Sequence, residues 1–117
     1  MARIPTPQTF MIAFAQGNQK QVEGYPFGIT VGNVKHRFMV HRMGDGSWRV
    51  SCPVSGRRVT DLVAYVKGMP VHSGGLNAAG ALQVARPQIH ALVVKVGGED
   101  AFNRVVLQAR QQAEVSS

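Results

Sequence analysis

From Lys35 to Val54 the chain reads KHRFMVHRMGDGSWRVSCPV, and its side chains sort by parity into two sets. Gly44-Asp45-Gly46 forms a three-residue loop, with Gly46 at the position that needs positive φ. Met43 then faces Ser47, and the partners upstream are Arg42 with Trp48, Val40 with Val50, Phe38 with Cys52 and His36 with Val54. Those pairs are largely apolar. The alternate set is His41 with Arg49, Met39 with Ser51 and Arg37 with Pro53, with Lys35 on the same side. Because side chains alternate across a strand, one face is expected to be core and the other a cationic, hydrogen-bonding surface. A two-residue loop would set Val40 against Arg49 and mix the faces, which argues against that register.

The pattern elsewhere is less sharp. Phe27 to Val31 predicts a short strand, and Gly32-Asn33 a tight turn into a long strand over 34–43. Together with the hairpin this gives an antiparallel meander of about three strands within 27–58, at roughly 27–31, 34–43 and 47–54. Upstream, Thr6-Pro7 reads as N-cap and first position of a short helix that Gly17 would end. Phe10, Ala13 and Phe14 share its face. A strand is the rival reading, since Phe10, Ile12 and Phe14 also alternate. Residues 17–26 are turn-rich and read as a loop.

Downstream, the helical part spans 60–113. Thr60 would cap a short helix over 61–67 that Gly68 and Pro70 terminate. The segment 69–80 reads as a loop, and Asn77 as the cap of a helix over 78–85. Pro87 must break or restart that helix. Ile89, Leu92, Val93 and Val96 follow at helical spacing, with a strand over 88–96 as the alternative. A final helix over 99–113 presents Phe102, Val105, Val106 and Ala109 on one face, with Glu99 and Asp100 at its positive end. Residues 114–117 read as a frayed tail. The expected fold is therefore a single α+β domain over 1–117: a small antiparallel sheet covered on one face by C-terminal helices.

Composition agrees with one globular domain, since 44% of the 117 residues are apolar and 16% charged. Charge adds something sharper. Six of the thirteen Lys and Arg residues fall between Lys35 and Arg58 against one acid, Asp45, so that this window carries +5 of the net +7. A pI of about 10.6 favours polyanionic partners, nucleic acid before acidic protein surfaces or anionic membranes. The single cysteine, Cys52, lies on the apolar face and excludes an intramolecular disulfide framework. No apolar run approaches the roughly 20 residues of a membrane span, and the N-terminal stretch lacks a signal peptide's apolar segment, so a reducing cytoplasm is the expected compartment.

Candidate chemistry is sparse. One cysteine and four scattered histidines give no zinc-ligand spacing, and six dispersed acids offer no paired carboxylates. Cys52 and His36 share a face of adjacent strands, but the thiol reads as buried. Ser51 and His41 share the other face without an acid to orient the imidazole. His72-Ser73-Gly74-Gly75 forms a loop able to cradle an anion. No phosphate-binding or dinucleotide loop is present. No metal or cofactor is expected, and no enzymatic activity.

The expected site is the cationic sheet face: Lys35, Arg37, His41 and Arg49, with Arg57 and Arg58 just beyond the sheet. Clustered cations suit phosphates, whose neutralisation releases counterions. Base stacking would require aromatic side chains on the same face, and Phe38 and Trp48 belong to the opposite one. The expected function is non-catalytic binding of nucleic acid through its backbone. The alternative is a protein-binding inhibitor or adaptor, such as an anti-defence factor of a mobile element, docking the same face on an acidic surface of a larger complex. Met39 and Met43 on the basic face fit contact with a partner, or cover of part of this face by the C-terminal helices. Val59, Leu62 and Val66 suit either a core or a homodimer contact.

Overall fold

The computed structural model describes residues 5–13 and 19–116. Five strands form one antiparallel meander in chain order: β1 (Gln8–Ala13), β2 (Gln19–Val31), β3 (Val34–Arg42), β4 (Trp48–Ser51) and β5 (Arg58–Asp61). A separate two-stranded hairpin, β6 (Val63–Val66) and β7 (Met69–His72), follows. A 3-10 turn at Ser73–Gly75 leads into two helices, α1 (Ala78–Lys95) and α2 (Glu99–Ser116). The α+β class and the helix-covered sheet are as expected, while the sheet has five strands rather than about three.

The basic hairpin has the expected register: Met39 faces Ser51, Val40 faces Val50, His41 faces Arg49 and Arg42 faces Trp48. Gly46 takes φ of 86°, and Met43 N–H donates to the Ser47 carbonyl at 2.7 Å, closing the loop. Parity then builds the main core. Phe27, Ile29 and Val31 of β2, Phe38 and Val40 of β3, and Trp48 and Val50 of β4 are buried on one sheet face. Against them α1 lays Ala81, Ala85, Ile89 and Val93, a stripe at four-residue spacing, and α2 adds Phe102 and Val106. The two alanines, fully buried, let the α1 axis come close to the sheet.

Several expectations are corrected. The helical part begins at Ala78 rather than at 60, since 58–61, 63–66 and 69–72 are strands, the last within the expected 69–80 loop, and α2 runs on to Ser116 through the tail expected to fray from 114. Residues 8–13 form a strand, not a helix, because they pair with β2 from Gln8↔Gly24 to Ala13↔Gln19; the helix end expected at Gly17 lies outside the described residues. The loop expected over 17–26 is instead largely the first half of β2, a 13-residue strand. Residues 61–67 form no helix. Lys67 and Gly68 take φ of 51° and 77°, the two positive values of a mirror-image turn that joins paired strands, and Pro70 sits in β7 opposite Tyr65. Finally, α1 runs unbroken through Pro87. Proline there removes the bond to the Gln83 carbonyl, but residues 83, 86 and 87 are exposed, so water satisfies that carbonyl while Ala85, Ile89 and Val93 hold the helix to the sheet.

Helix caps follow the sequence. The Asn77 side chain accepts from Gly80 N–H at 2.8 Å and starts α1. Glu99 serves α2's junction with the sheet, its carboxylate accepting from Gly32 N–H at 2.7 Å in the β2–β3 turn.

Candidate functional site

The sheet does not stay flat. Ala13 N–H at the end of β1 donates to the Gly56 carbonyl, 2.8 Å away in the β4–β5 loop, so the two margins of the sheet nearly meet. Gly56 has φ of 71° and a Cβ there would sit 2.9 Å from the Met11 carbonyl oxygen, which explains a glycine at this junction. Curling encloses the face opposite the helices. Phe10 meets the His41 ring edge-on at 5.3 Å, and Ile12, Met39, His41 and Ser51 are all buried.

This divides the six expected cations among different surroundings. His41 leaves the surface altogether: it is fully buried, 2.8 Å from the Ser51 hydroxyl, and burial holds its pKa below the ordinary value. The expectation that it projects with the arginines is corrected. Strand parity holds, but β1 folds across the part of the face where residues 39, 41 and 51 lie. Met39 is covered by this curl rather than by the C-terminal helices.

Arg49 and Arg58 share one carboxylate, Asp61, at 2.5 and 3.3 Å, which offsets much of their positive field. Arg57 contacts Gln112 of α2 at 3.4 Å and lines a cavity beside the helices.

Lys35 and Arg37 remain exposed where β3 runs beyond the covered zone, opposite Thr30 and Gly28 of β2. Arg37 donates to the Gln8 side chain at 2.6 Å. Lys35 borders a recess of about 360 Å³ whose other walls are Gly28, Ile29, Thr30, His36, Arg86 and His90. Arg86 is fixed there, its Nε donating to the Gly28 carbonyl at 2.9 Å and its guanidinium lying 5.6 Å over the Phe27 ring. Arg86 and His90 are four apart on α1, so both point to the recess. Among the described residues, no carboxylate lines it. Along the sequence Arg86 is only one of several dispersed helical cations, and His90 flanks the apolar stripe. Their i, i+4 spacing is the signal that links them, but what they face depends on how α1 crosses β2.

Other candidates resolve into structure. In the His72–Gly75 loop, Ser73 is buried and accepts from Trp48 N–H at 2.8 Å, and His72 Nδ1 accepts from Gly74 N–H at 3.0 Å. Arg42, opposite Trp48 across the hairpin, lies 4.3 Å over its ring in a cation–π contact and also donates to the Gly46, Gly74 and Leu76 carbonyls. Cys52 and His36 do not meet directly. Arg110 stands between them, its Nε 3.4 Å from the Cys52 sulfur and its Nη2 3.4 Å from His36 Nδ1. Since Arg110 can only donate, His36 Nδ1 accepts and Nε2 donates to Asn103 Oδ1 at 2.6 Å; Asn103 in turn donates to the Val31 carbonyl at 3.0 Å. Burial lowers the His36 pKa and keeps this relay neutral.

Among the described residues, no group of three or more His, Cys, Asp or Glu side chains is placed to hold a metal ion, and no helix is long and apolar enough to cross a membrane. Comparison with protein-family models, curated proteins and solved structures finds no match to this chain.

Proposed function

We propose that this protein binds nucleic acid without chemistry on it, gripping the phosphate backbone with Lys35, Arg37 and Arg86 and using Thr30 and His90 as accessory donors. One observation carries the reading: Lys35 of β3 and Arg86 of α1 converge on a recess that no carboxylate among the described residues lines, with Arg37 exposed two residues along β3. Each such cation is free to exchange its counterion for a phosphate. Arg49 and Arg58, already neutralised in part by Asp61, contribute less, and His41 contributes nothing. Among the described residues, no aromatic side chain other than the two imidazoles lines the recess, so stacking on bases has little support and backbone contact is the mode. Fluorescence anisotropy with labelled duplex and single-stranded probes across a salt series tests the reading. Binding whose logarithm falls linearly with log salt, and which Lys35→Glu/Arg37→Glu weakens, supports it; salt-independent retention refutes it.

A second reading, an adaptor docking on a protein, is favoured by the β6–β7 hairpin. Tyr65, Val66 and Met69 there are 64%, 57% and 66% exposed, an unusual concentration of apolar side chains on a small protein's surface. Capture of partners from the source cell with and without nuclease separates the two: a protein retained after nuclease treatment supports the adaptor.

A further inference from the structure

A second cationic pocket lies apart from the recess and serves neither reading. It is a cavity of about 440 Å³ between α2, the end of α1 and the β4–β5 loop. That size falls within the roughly 300–1,000 Å³ range of small-molecule sites. Val59, Leu92, Val96, Phe102, Val105 and Val106 supply apolar wall, and Arg57, Arg58 and Gln112 supply polar rim. Val96 and Val105 are 45% and 64% exposed, apolar surface that the fold leaves uncovered beside the cavity.

Charge narrows the occupant. Among the described residues no Asp or Glu lines the cavity, though Asp61 reaches Arg58 of its rim at 3.3 Å. The Arg57 guanidinium donates to the neutral Gln112 amide oxygen at 3.4 Å. Cys52 forms part of the wall, and behind it stands Arg110, bonded to a sulfur and an imidazole rather than to a carboxylate. An apolar chamber edged by arginines suits a ligand with an oily body and a negative head, because the head forms charge-assisted hydrogen bonds while the body leaves water.

We propose that this cavity binds a small amphipathic carboxylate, its chain along Leu92, Val96, Phe102 and Val105 and its head at Arg57, with Arg58, partly offset by Asp61, at the rim and Cys52 in the wall. The Cys52 thiol gives the site a reporter, since it is the sole cysteine of the chain. Burial pushes its pKa up, but donors from Arg110, Ser55 and Val54 outweigh this and bring it below the ordinary thiol value. Cys52 lines the cavity but is only 3% exposed, so its modification is slow. The thiol gives its proton to solvent, the thiolate attacks one sulfur of an aromatic disulfide such as dithiobis(nitrobenzoate), a mixed disulfide forms and thionitrobenzoate leaves with the electron pair.

The experiment measures that release for the native full chain with octanoate, and with octanol as the uncharged chain of equal length. Octanoate at ten times its dissociation constant is expected to slow Cys52 modification about tenfold, because only unoccupied molecules react. Octanol protects far less. Arg57→Glu and Val105→Asp, both at exposed positions, abolish the protection, whereas Lys35→Glu/Arg37→Glu leaves it intact. Methyl NMR supplies a second readout, with octanoate shifting Val96, Val105 and Val106. Equal protection by octanol, protection that survives Arg57→Glu, or methyl shifts absent from these three valines would overturn the assignment.

Discussion

His41 and Ser51 are buried partners: the imidazole Nε2 lies 2.8 Å from the Ser51 hydroxyl, beneath the curl of β1. Its Nδ1 faces the Arg42 carbonyl at 3.3 Å, and since a carbonyl only accepts, Nδ1 carries a proton; burial disfavours a second one on the ring, so Nε2 accepts from Ser51. The ring is therefore neutral, and acid conditions must break this arrangement to charge it. His36 stands in the same position on the helix side, with Arg110 and Asn103 as its partners.

Both histidines have pKa values below the ordinary 6.5, chiefly through burial. The unfolded chain takes up their protons as pH falls through about 6.5, while the folded chain resists. Stability is thus complete above that pH and is lost below it, at up to about 1.4 kcal/mol per histidine per pH unit. Urea unfolding at pH 7.5, 6.5 and 5.5 checks this. A midpoint that stays constant across the series contradicts buried neutral imidazoles.

The Lys35–Arg37–Arg86 patch predicts which cations control polyanion affinity. Charge reversal of Lys35 and Arg37 together should reduce the slope of log K against log salt by about 0.9 for each phosphate left without its cation. Arg49→Gln should change it less, because Asp61, shared with Arg58, offsets part of that guanidinium's charge. Equal effects from the two changes would return the binding surface to the middle of the sheet.

Gly24 is the point where β1 comes down on β3. A Cβ there would lie 2.8 Å from Phe10 Cε1 and 2.8 Å from the Val40 carbonyl oxygen, and backbone cannot retreat as a side-chain tip can. Gly24→Ala should cost about 1–3 kcal/mol by overpacking. Gly28→Ala is its control, since a Cβ at that position has no neighbour closer than 3.8 Å. Thermal or urea unfolding of the pair reads the difference directly.

Arg42 ties three segments through one guanidinium, covering Trp48 and donating to carbonyls of the β3–β4 turn and of the stretch leading into α1. Lysine keeps the charge but has neither the planar stack nor the fork of donors. Arg42→Lys should therefore destabilise the protein by about 1 kcal/mol, measured by urea unfolding, and raise the accessibility of Trp48 to a fluorescence quencher.

Alternation of side chains is enough to give the β3–β4 register, the Gly46 turn, the Arg42–Trp48 contact and the buried state of Cys52, because all of these are local consequences of strand pairing. The cap at Asn77 and the acidic start of α2 are legible for the same reason: a helix end is satisfied by residues within one turn of it. The strands at 8–13 and 63–66 are not, since short segments with both alternating and helical spacing take whichever form their neighbours complete, and those neighbours, the first half of β2 and β7, carry the turn-rich composition of loops. Most consequential for function, parity states which side of a sheet a residue occupies but not whether that side meets water. Long-range contacts decide that: Ala13 with Gly56 and Phe10 with His41 bury one expected cation, Asp61 offsets two more, and the crossing of α1 over β2 adds Arg86 and His90.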